Sequence, residues 1–144
     1  MCQTCENEYR LSGNLCVACP SNCKTCAVGG CSSCNTGSAL ISGSCVACTS
    51  TGSGGSAGCT ACFSVSSSLR CTSCDNGYYL TAGHVCDACT NKYANSALCT
   101  STALVQCLND FDATLSNRFY KINNQCIANA NNCKTMKDNT GKCS

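Results

Sequence analysis

Short apolar stretches interrupted by Gly or Asn turns recur along the chain. Each stretch begins with a Tyr or a small residue, continues with Leu or Ile, turns, and ends at a cysteine. β-Branched and aromatic residues on both sides of a Gly/Asn turn are typical of a short β-hairpin. The pattern therefore predicts a series of two-stranded hairpins, with copies at 9–16, 39–45 and 78–86 and a degenerate copy at 119–126.

The last third of the chain has a different periodicity. Steps of four, three, four and four residues are the spacing of one helical face, and Ser101 or Thr102 could cap such a helix. We therefore predict one α-helix near 102–118, whose apolar stripe could cover the neighbouring hairpin or contact a partner. The stripe consists of Leu104, Leu108, Phe111, Leu115 and Phe119.

Cysteine is the residue that dominates the composition. The 21 cysteines in 144 residues exceed the level of about 8–10% that marks a disulfide scaffold. Eight Cys-x-x-Cys pairs follow one another closely: Cys2/Cys5, Cys16/Cys19, Cys23/Cys26, Cys31/Cys34, Cys45/Cys48, Cys59/Cys62, Cys71/Cys74 and Cys86/Cys89. Five more cysteines follow at looser spacing, namely Cys99, Cys107, Cys126, Cys133 and Cys143.

Cross-links have to supply stability that the apolar residues do not. The chain has no Trp and only three Phe, whereas ordering the backbone costs about 1–2 kcal/mol per residue. Closing a loop of about 15 residues with a disulfide contributes roughly 3 kcal/mol. We predict structural disulfides at the first twenty cysteines, with Cys143 as the odd one. The two cysteines of each Cys-x-x-Cys are expected to bridge to different partners.

The predicted fold class is small and disulfide-rich: an elongated rod of short β-hairpin repeats, because units with little core contact mainly their neighbours. Residues 1–98 form the regular repeats and 99–144 a degenerate repeat with a helical insertion. The Ser/Gly segment between Cys48 and Cys59 and the segment 64–68 are expected to be flexible polar loops that could carry O-linked glycans. We expect the sequence to be part of a longer chain, since no secretory signal precedes Cys2.

Compartment and partners follow from the same composition. Disulfides at this density persist in oxidising surroundings, which predicts an extracellular or cell-surface location. A net charge of +2 without a Lys/Arg cluster argues against nucleic acid or anionic membrane as a partner. No stretch is long and apolar enough for a membrane span in this segment. The expected partners are proteins or further copies of the chain.

Zinc is the chemical alternative to disulfides, since structural zinc sites use Cys-x-x-Cys knuckles in pairs. The gaps of three and four residues at Cys19/Cys23 and Cys26/Cys31 are too short for simple zinc ribbons, so no metal and no other cofactor is predicted. The single histidine, His84, lies in a hairpin turn and offers no partner set for acid–base or nucleophilic catalysis. No catalytic residue is predicted, and the chain is not expected to be an enzyme.

The segment 16–26, which reads CVACPSNCKTC, the pair Cys31/Cys34 and the following Leu40 with Gly43 resemble the furin-like repeat. That repeat occurs in the cysteine-rich regions of growth-factor receptors and proprotein convertases. The density of Cys-x-x-Cys pairs with Ser, Thr, Gly and Asn between them resembles still more the surface antigens of ciliates and diplomonads. The resemblance covers residues 2–98 and implies an extracellular rod that coats, displays or binds.

The function expected from these observations is that of a non-enzymatic extracellular structural or surface-coat protein. Three alternatives stay open: a self-assembling extracellular filament subunit, the stalk of a ligand-binding receptor ectodomain, and an intracellular zinc-binding module.

Overall fold

Seven two-stranded antiparallel hairpins make up the part of the chain that the structure, a computed structural model, describes: residues 3–108 and 119–128. The predicted fold class, small disulfide-rich hairpin repeats, is confirmed. The fourteen strands are β1 (Tyr9–Ser12), β2 (Leu15–Ala18), β3 (Cys23–Ala27), β4 (Gly30–Cys34), β5 (Ser38–Ile41), β6 (Ser44–Ala47), β7 (Cys59–Val65), β8 (Ser68–Cys74), β9 (Tyr78–Leu80), β10 (Cys86–Ala88), β11 (Ser96–Cys99), β12 (Leu104–Cys107), β13 (Phe119–Ile122) and β14 (Gln125–Ala128).

Two kinds of hairpin alternate along the chain. The A hairpins contain the Tyr/Leu/turn/Cys motif and are β1–β2, β5–β6, β9–β10 and β13–β14, here A1 to A4. The B hairpins lie between them and are β3–β4, β7–β8 and β11–β12, here B1 to B3. All four hairpins predicted from the apolar pattern are A hairpins, so the pattern found one of the two kinds.

The hairpins A2 and A4 turn tightly because both of their turn residues accept a left-handed backbone. In A2 the turn residues are Ser42 (φ 48°) and Gly43 (φ 79°), and in A4 they are Asn123 (φ 46°) and Asn124 (φ 65°). Positive φ at both central residues defines the type I′ turn, whose twist matches that of the flanking strands. Gly and Asn tolerate this conformation best, which is why the motif needs them.

The B hairpins share one strand register. In each, the first residue of the first strand lies opposite the last residue of the second strand, and the residue three places further on lies opposite the residue three places back. An irregularity of pairing on each side of the intervening pair accompanies this spacing. The pairs are Cys23↔Cys34 and Cys26↔Cys31 in B1, Cys59↔Cys74 and Cys62↔Cys71 in B2, and Ser96↔Cys107 and Cys99↔Leu104 in B3.

A main-chain hydrogen bond closes the base of every B hairpin. In B2, the N–H of Asp75 donates to the carbonyl of Gly58 at 2.7 Å. Gly58 has a φ of +72°, and a Cβ there would lie 2.4 Å from the ring of Tyr78, so only glycine fits. B1 and B3 place Asn22 (φ 62°) and Asn95 (φ 59°) at the same position.

The hairpins form a linear array. The closest packing between elements joins each hairpin to the next one along the chain: β1 with β3, β4 with β5 and β6, β5 with β7, β8 with β9 and β10, β9 with β11, and β12 with β13. Each unit therefore buries its surface against its immediate neighbours, the arrangement of a repeat protein.

The buried interior consists largely of sulfur. Half-cystines fill most buried positions of the described residues, and Leu69, Leu104 and Ala39 are the aliphatic side chains among them. The largest cluster lies where A2, B2 and A3 meet. It contains Cys48, Cys59, Cys71 and Cys86, with Tyr78 and Leu80 packed against it.

The prediction of a helix near 102–118 is wrong over 102–108, where Leu104–Cys107 forms β12 and the flanking residues are not helical; residues 109–118 lie outside the described residues. Leu104 is fully buried in β12 while Val105 is 52% exposed, an alternation that fits a strand and outweighs the helical spacing. In the described part of the chain, the α-helix is a single turn, α1 (Cys89–Lys92), between A3 and B3.

The segment between Cys48 and Cys59 packs against the array, which corrects its description as a flexible loop. It forms a 3-10 turn at Thr51–Ser53, and Ser56 is only 6% exposed. The N–H of Cys86 donates to Ser56 Oγ at 2.8 Å. Burial excludes Ser56 as a site of O-glycosylation.

Candidate functional site

The disulfides are the chemical feature that organises this protein, and nine of them join the eighteen cysteines of the described residues. No bridge lies within a Cys-x-x-Cys whose two cysteines are described. The two cysteines of each such pair therefore bond to different partners. The bridges are Cys5–Cys16, Cys19–Cys26, Cys23–Cys31, Cys34–Cys45, Cys48–Cys62, Cys59–Cys71, Cys74–Cys86, Cys89–Cys99 and Cys107–Cys126. Cys2, Cys133 and Cys143 lie outside the described residues.

One connection rule generates the bridges of B1 and B2. The first and third cysteines of the hairpin bond to each other across its two strands. The second cysteine bonds backward to the preceding A hairpin, and the fourth bonds forward to the following one. In B2 these bridges are Cys59–Cys71, Cys48–Cys62 and Cys74–Cys86.

The third B hairpin keeps two of these bridges and lacks the third. Cys99 bonds backward to Cys89, and Cys107 bonds forward to Cys126. The register places Ser96 and Leu104 where B1 and B2 have the two cysteines of the internal disulfide. Both side chains are buried: Ser96 is 2% exposed and Leu104 is 0% exposed.

The serine in this position has a buried hydroxyl without a hydrogen-bond partner among the described residues. Ser96 Oγ is the buried side-chain oxygen or nitrogen that finds no hydrogen-bond partner within the described part of the chain. A buried hydroxyl without a partner costs about 1–3 kcal/mol. Burial of the Leu104 side chain contributes about 2 kcal/mol in return. Packing thus replaces covalent closure in B3.

At each junction of a complete B hairpin with the next A hairpin, disulfides lie side by side. The sulfur atoms of Cys59, Cys71 and Cys86 lie within 4.8 Å of one another. The corresponding group at the B1 junction consists of Cys23, Cys31 and Cys45. A metal ion binds the thiolate form of cysteine, and all six sulfurs are in disulfides, so these groups are structural as they stand.

The single histidine, His84, makes contacts with a neighbouring hairpin. His84 occupies the A3 turn with a φ of 59°, and its main-chain carbonyl accepts a hydrogen bond from the N–H of Cys71 at 2.9 Å. Its ring meets Phe63 edge to face with centroids 6.0 Å apart, and Nδ1 lies 3.2 Å from the Cys71 carbonyl oxygen. These contacts attach the A3 turn to B2.

A polar and aromatic cluster surrounds α1. Asp87 accepts hydrogen bonds from Asn91 Nδ2 at 2.6 Å and from the Tyr79 hydroxyl at 3.1 Å. The bond from Asn91, followed by that from Tyr79, lowers the pKa of Asp87, whereas partial burial and then Asp87 itself raise the pKa of Tyr79. The Lys92 ammonium lies 5.4 Å from the Tyr79 ring centre and 5.8 Å from that of Tyr93. The cluster holds α1 against A3.

No protein-family model, curated protein or solved structure matches this chain. Within the residues that the structure describes, no helix is long and apolar enough to span a membrane.

Sequence reasoning missed the B hairpins and the site at Ser96 and Leu104. The signal was present in the spacing. Ser96 precedes Cys99 by three residues and Leu104 precedes Cys107 by three, the same offsets as in each Cys-x-x-Cys. Only the strand register, however, shows that this serine and this leucine occupy the positions of the two cysteines that form the internal disulfide in B1 and B2.

Proposed function

We propose that this protein is a non-enzymatic structural component of an extracellular or cell-surface coat. The observation that carries the proposal is the serial arrangement of the disulfides. They divide the described chain into seven closed covalent blocks, arranged one after another. Disulfides at this density indicate an oxidising environment.

The physical consequence is a rod that resists unfolding and digestion. Each hairpin alone would be marginally stable in water, but its bridges to both neighbours restrict the unfolded chain. Exposed tips can be varied or cut without loss of the array. The tip of B2, residues 63–70, presents Phe63 (42% exposed) and Val65 (49% exposed) to solvent while Cys59–Cys71 closes its base. These properties suit a surface coat, and the resemblance to the surface antigens of ciliates and diplomonads supports the same proposal.

The test is localisation on the cells that make the protein. Antibodies against the folded chain are applied to intact and to permeabilised cells, and thiols are alkylated before lysis. We expect labelling of intact cells and no alkylation of the eighteen bridged cysteines. Labelling only after permeabilisation, with most cysteines alkylated, would contradict the proposal and favour the intracellular zinc-binding module.

Self-assembly into a filament is a second candidate, which the surface of A1 favours. This hairpin exposes apolar side chains on both faces: Tyr9 is 49%, Leu11 42%, Leu15 73% and Val17 41% exposed. Sedimentation velocity of the purified protein tests this candidate. Concentration-dependent association that Leu15→Ser abolishes would support it, and a monomer at all concentrations would contradict it.

A further inference from the structure

The disulfides divide the described chain into covalent blocks that are joined by short links. Within a block, a single peptide-bond cleavage leaves the chain connected through a bridge. The blocks are 5–16, 19–31, 34–45, 48–71, 74–86, 89–99 and 107–126. Between Cys5 and Cys126, the described bridges allow a single cleavage to separate the chain into two parts only in the links between blocks.

All the links but one are two residues long. They are the residues inside a Cys-x-x-Cys, at 17–18, 32–33, 46–47, 72–73 and 87–88, and each lies in a paired strand with a bridged cysteine at both ends. To bind such a link, an endoprotease must pull several consecutive residues away from the partner strand, and the bridged cysteines at both ends prevent this separation. The seven residues between Cys99 and Cys107, 100–106, are the exception.

The long link is a direct result of the missing internal disulfide. A bridge between positions 96 and 104 would overlap the Cys89–Cys99 bridge and reduce the link to residues 105–106. With Ser96 and Leu104 in those positions, the tip of B3 is held by hydrogen bonds. The N–H of Thr100 donates to the Ala103 carbonyl at 2.7 Å, and the N–H of Ala103 donates to Thr100 Oγ1 at 2.9 Å.

We propose that the B3 tip and the strand after it, residues 100–106, are a processing site at which one cleavage divides the protein. Thr100, Ser101 and Thr102 are exposed, and exposed hairpin tips with small polar residues are preferred sites of proteolytic nicking. The sequence TSTALVQ contains no basic residue. The matching enzyme class is therefore an extracellular endoprotease with specificity for small and aliphatic residues, rather than one specific for Lys or Arg.

Opening of B3 makes the link available. Its strands can part once the β11–β12 hydrogen bonds break and Leu104 leaves its buried site, without any change in covalent bonds. The corresponding opening in B2 is prevented by Cys59–Cys71. Local opening of this kind sets the rate at which a folded protein is cleaved.

The experiment is limited digestion of the folded, oxidised protein with elastase, which cleaves after small aliphatic residues. Products are separated under denaturing, non-reducing conditions and the new N-termini are sequenced. We expect two separate fragments from cleavage within 100–106, formed at least about tenfold faster than separation at any other described link. Nicks in the B2 tip should appear only after reduction.

Two variants exchange the property between hairpins. Ser96→Cys combined with Leu104→Cys should form a further disulfide, with a mass about 2 Da below the reduced form, and the fragments from cleavage after residues 100–103 should stay joined until reduction. Cys59→Ser combined with Cys71→Leu should create a second separation point at 63–73. The proposal is overturned if the wild-type fragments remain covalently joined, or if separation first occurs at another described link. This outcome does not depend on where the protein is located in the cell.

Discussion

The second and third B hairpins have the same register and the same bridges to their neighbours, but they are closed internally in different ways. B2 joins its strands through Cys59–Cys71, whereas B3 has the buried residues Ser96 and Leu104 at the two corresponding positions. Cysteine therefore has two roles in this protein, which the sequence alone does not distinguish. The bridges between hairpins align the array, and the bridge within a hairpin fixes only that hairpin. A unit can lose the second kind and keep its fold.

The largest expected effect comes from converting B2 into a copy of B3. The double substitution Cys59→Ser with Cys71→Leu should lower the free energy of unfolding by about 2–5 kcal/mol, since a native disulfide of a small domain contributes that much. Urea denaturation monitored by near-UV circular dichroism measures the change. A loss below about 1 kcal/mol would mean that packing replaces the disulfide fully.

Leu104→Ala tests how far B3 depends on packing. Leu104 is fully buried, and truncating such a leucine costs about 2–4 kcal/mol through lost burial and the cavity that remains. The matched control is Val105→Ala on the same strand, which is 52% exposed and should change stability by less than about 0.5 kcal/mol. Equal effects of the two substitutions would contradict the described burial of β12.

Two buried serines should respond to removal of the hydroxyl with opposite signs. Ser56 Oγ accepts a hydrogen bond from the N–H of Cys86, so Ser56→Ala should destabilise the protein by about 1 kcal/mol. Ser96 Oγ has no partner among the described residues, so Ser96→Ala should stabilise it by about 1 kcal/mol. The same urea series measures both. Destabilisation by Ser96→Ala would show that this hydroxyl is paired.

The smallest expected effect is a loss of stability of α1 at acidic pH. Hydrogen bonds from Asn91 and Tyr79 lower the pKa of Asp87, so the folded state favours the ionised carboxylate. This contribution is present above the ordinary pKa of an aspartate and is lost as the pH falls through the lowered pKa. Protection factors for NMR amide exchange at 89–93 should therefore fall below about pH 4, and Asp87→Asn should remove that pH dependence. A wild-type exchange rate that follows the Asp87→Asn profile would contradict the assignment.

The sequence predicts the A hairpins, because each carries a local signal: a Gly/Asn turn between β-branched or aromatic residues. The B hairpins carry a weaker local signal, since β3, β4, β7 and β8 are mainly Cys, Ser and Thr. The helix near 102–118 illustrates the limit. Leu104 and Leu108 have helical spacing. Leu104 nevertheless lies opposite Cys99 of the neighbouring strand, and the periodicity of one segment cannot predict its contact with another. For the same reason, the relation of Ser96 to Leu104 became visible only through the register.

Disulfide mapping of the folded protein tests the account most directly. The protein is alkylated without reduction, digested, and its bridged peptides are identified by mass spectrometry with stepwise partial reduction. The account predicts Cys59–Cys71 within B2, Cys48–Cys62 and Cys74–Cys86 to its neighbours, and no bridge internal to B3. Bridges within a Cys-x-x-Cys, such as one between Cys59 and Cys62, would contradict the alternating arrangement of hairpins and the processing site that depends on it.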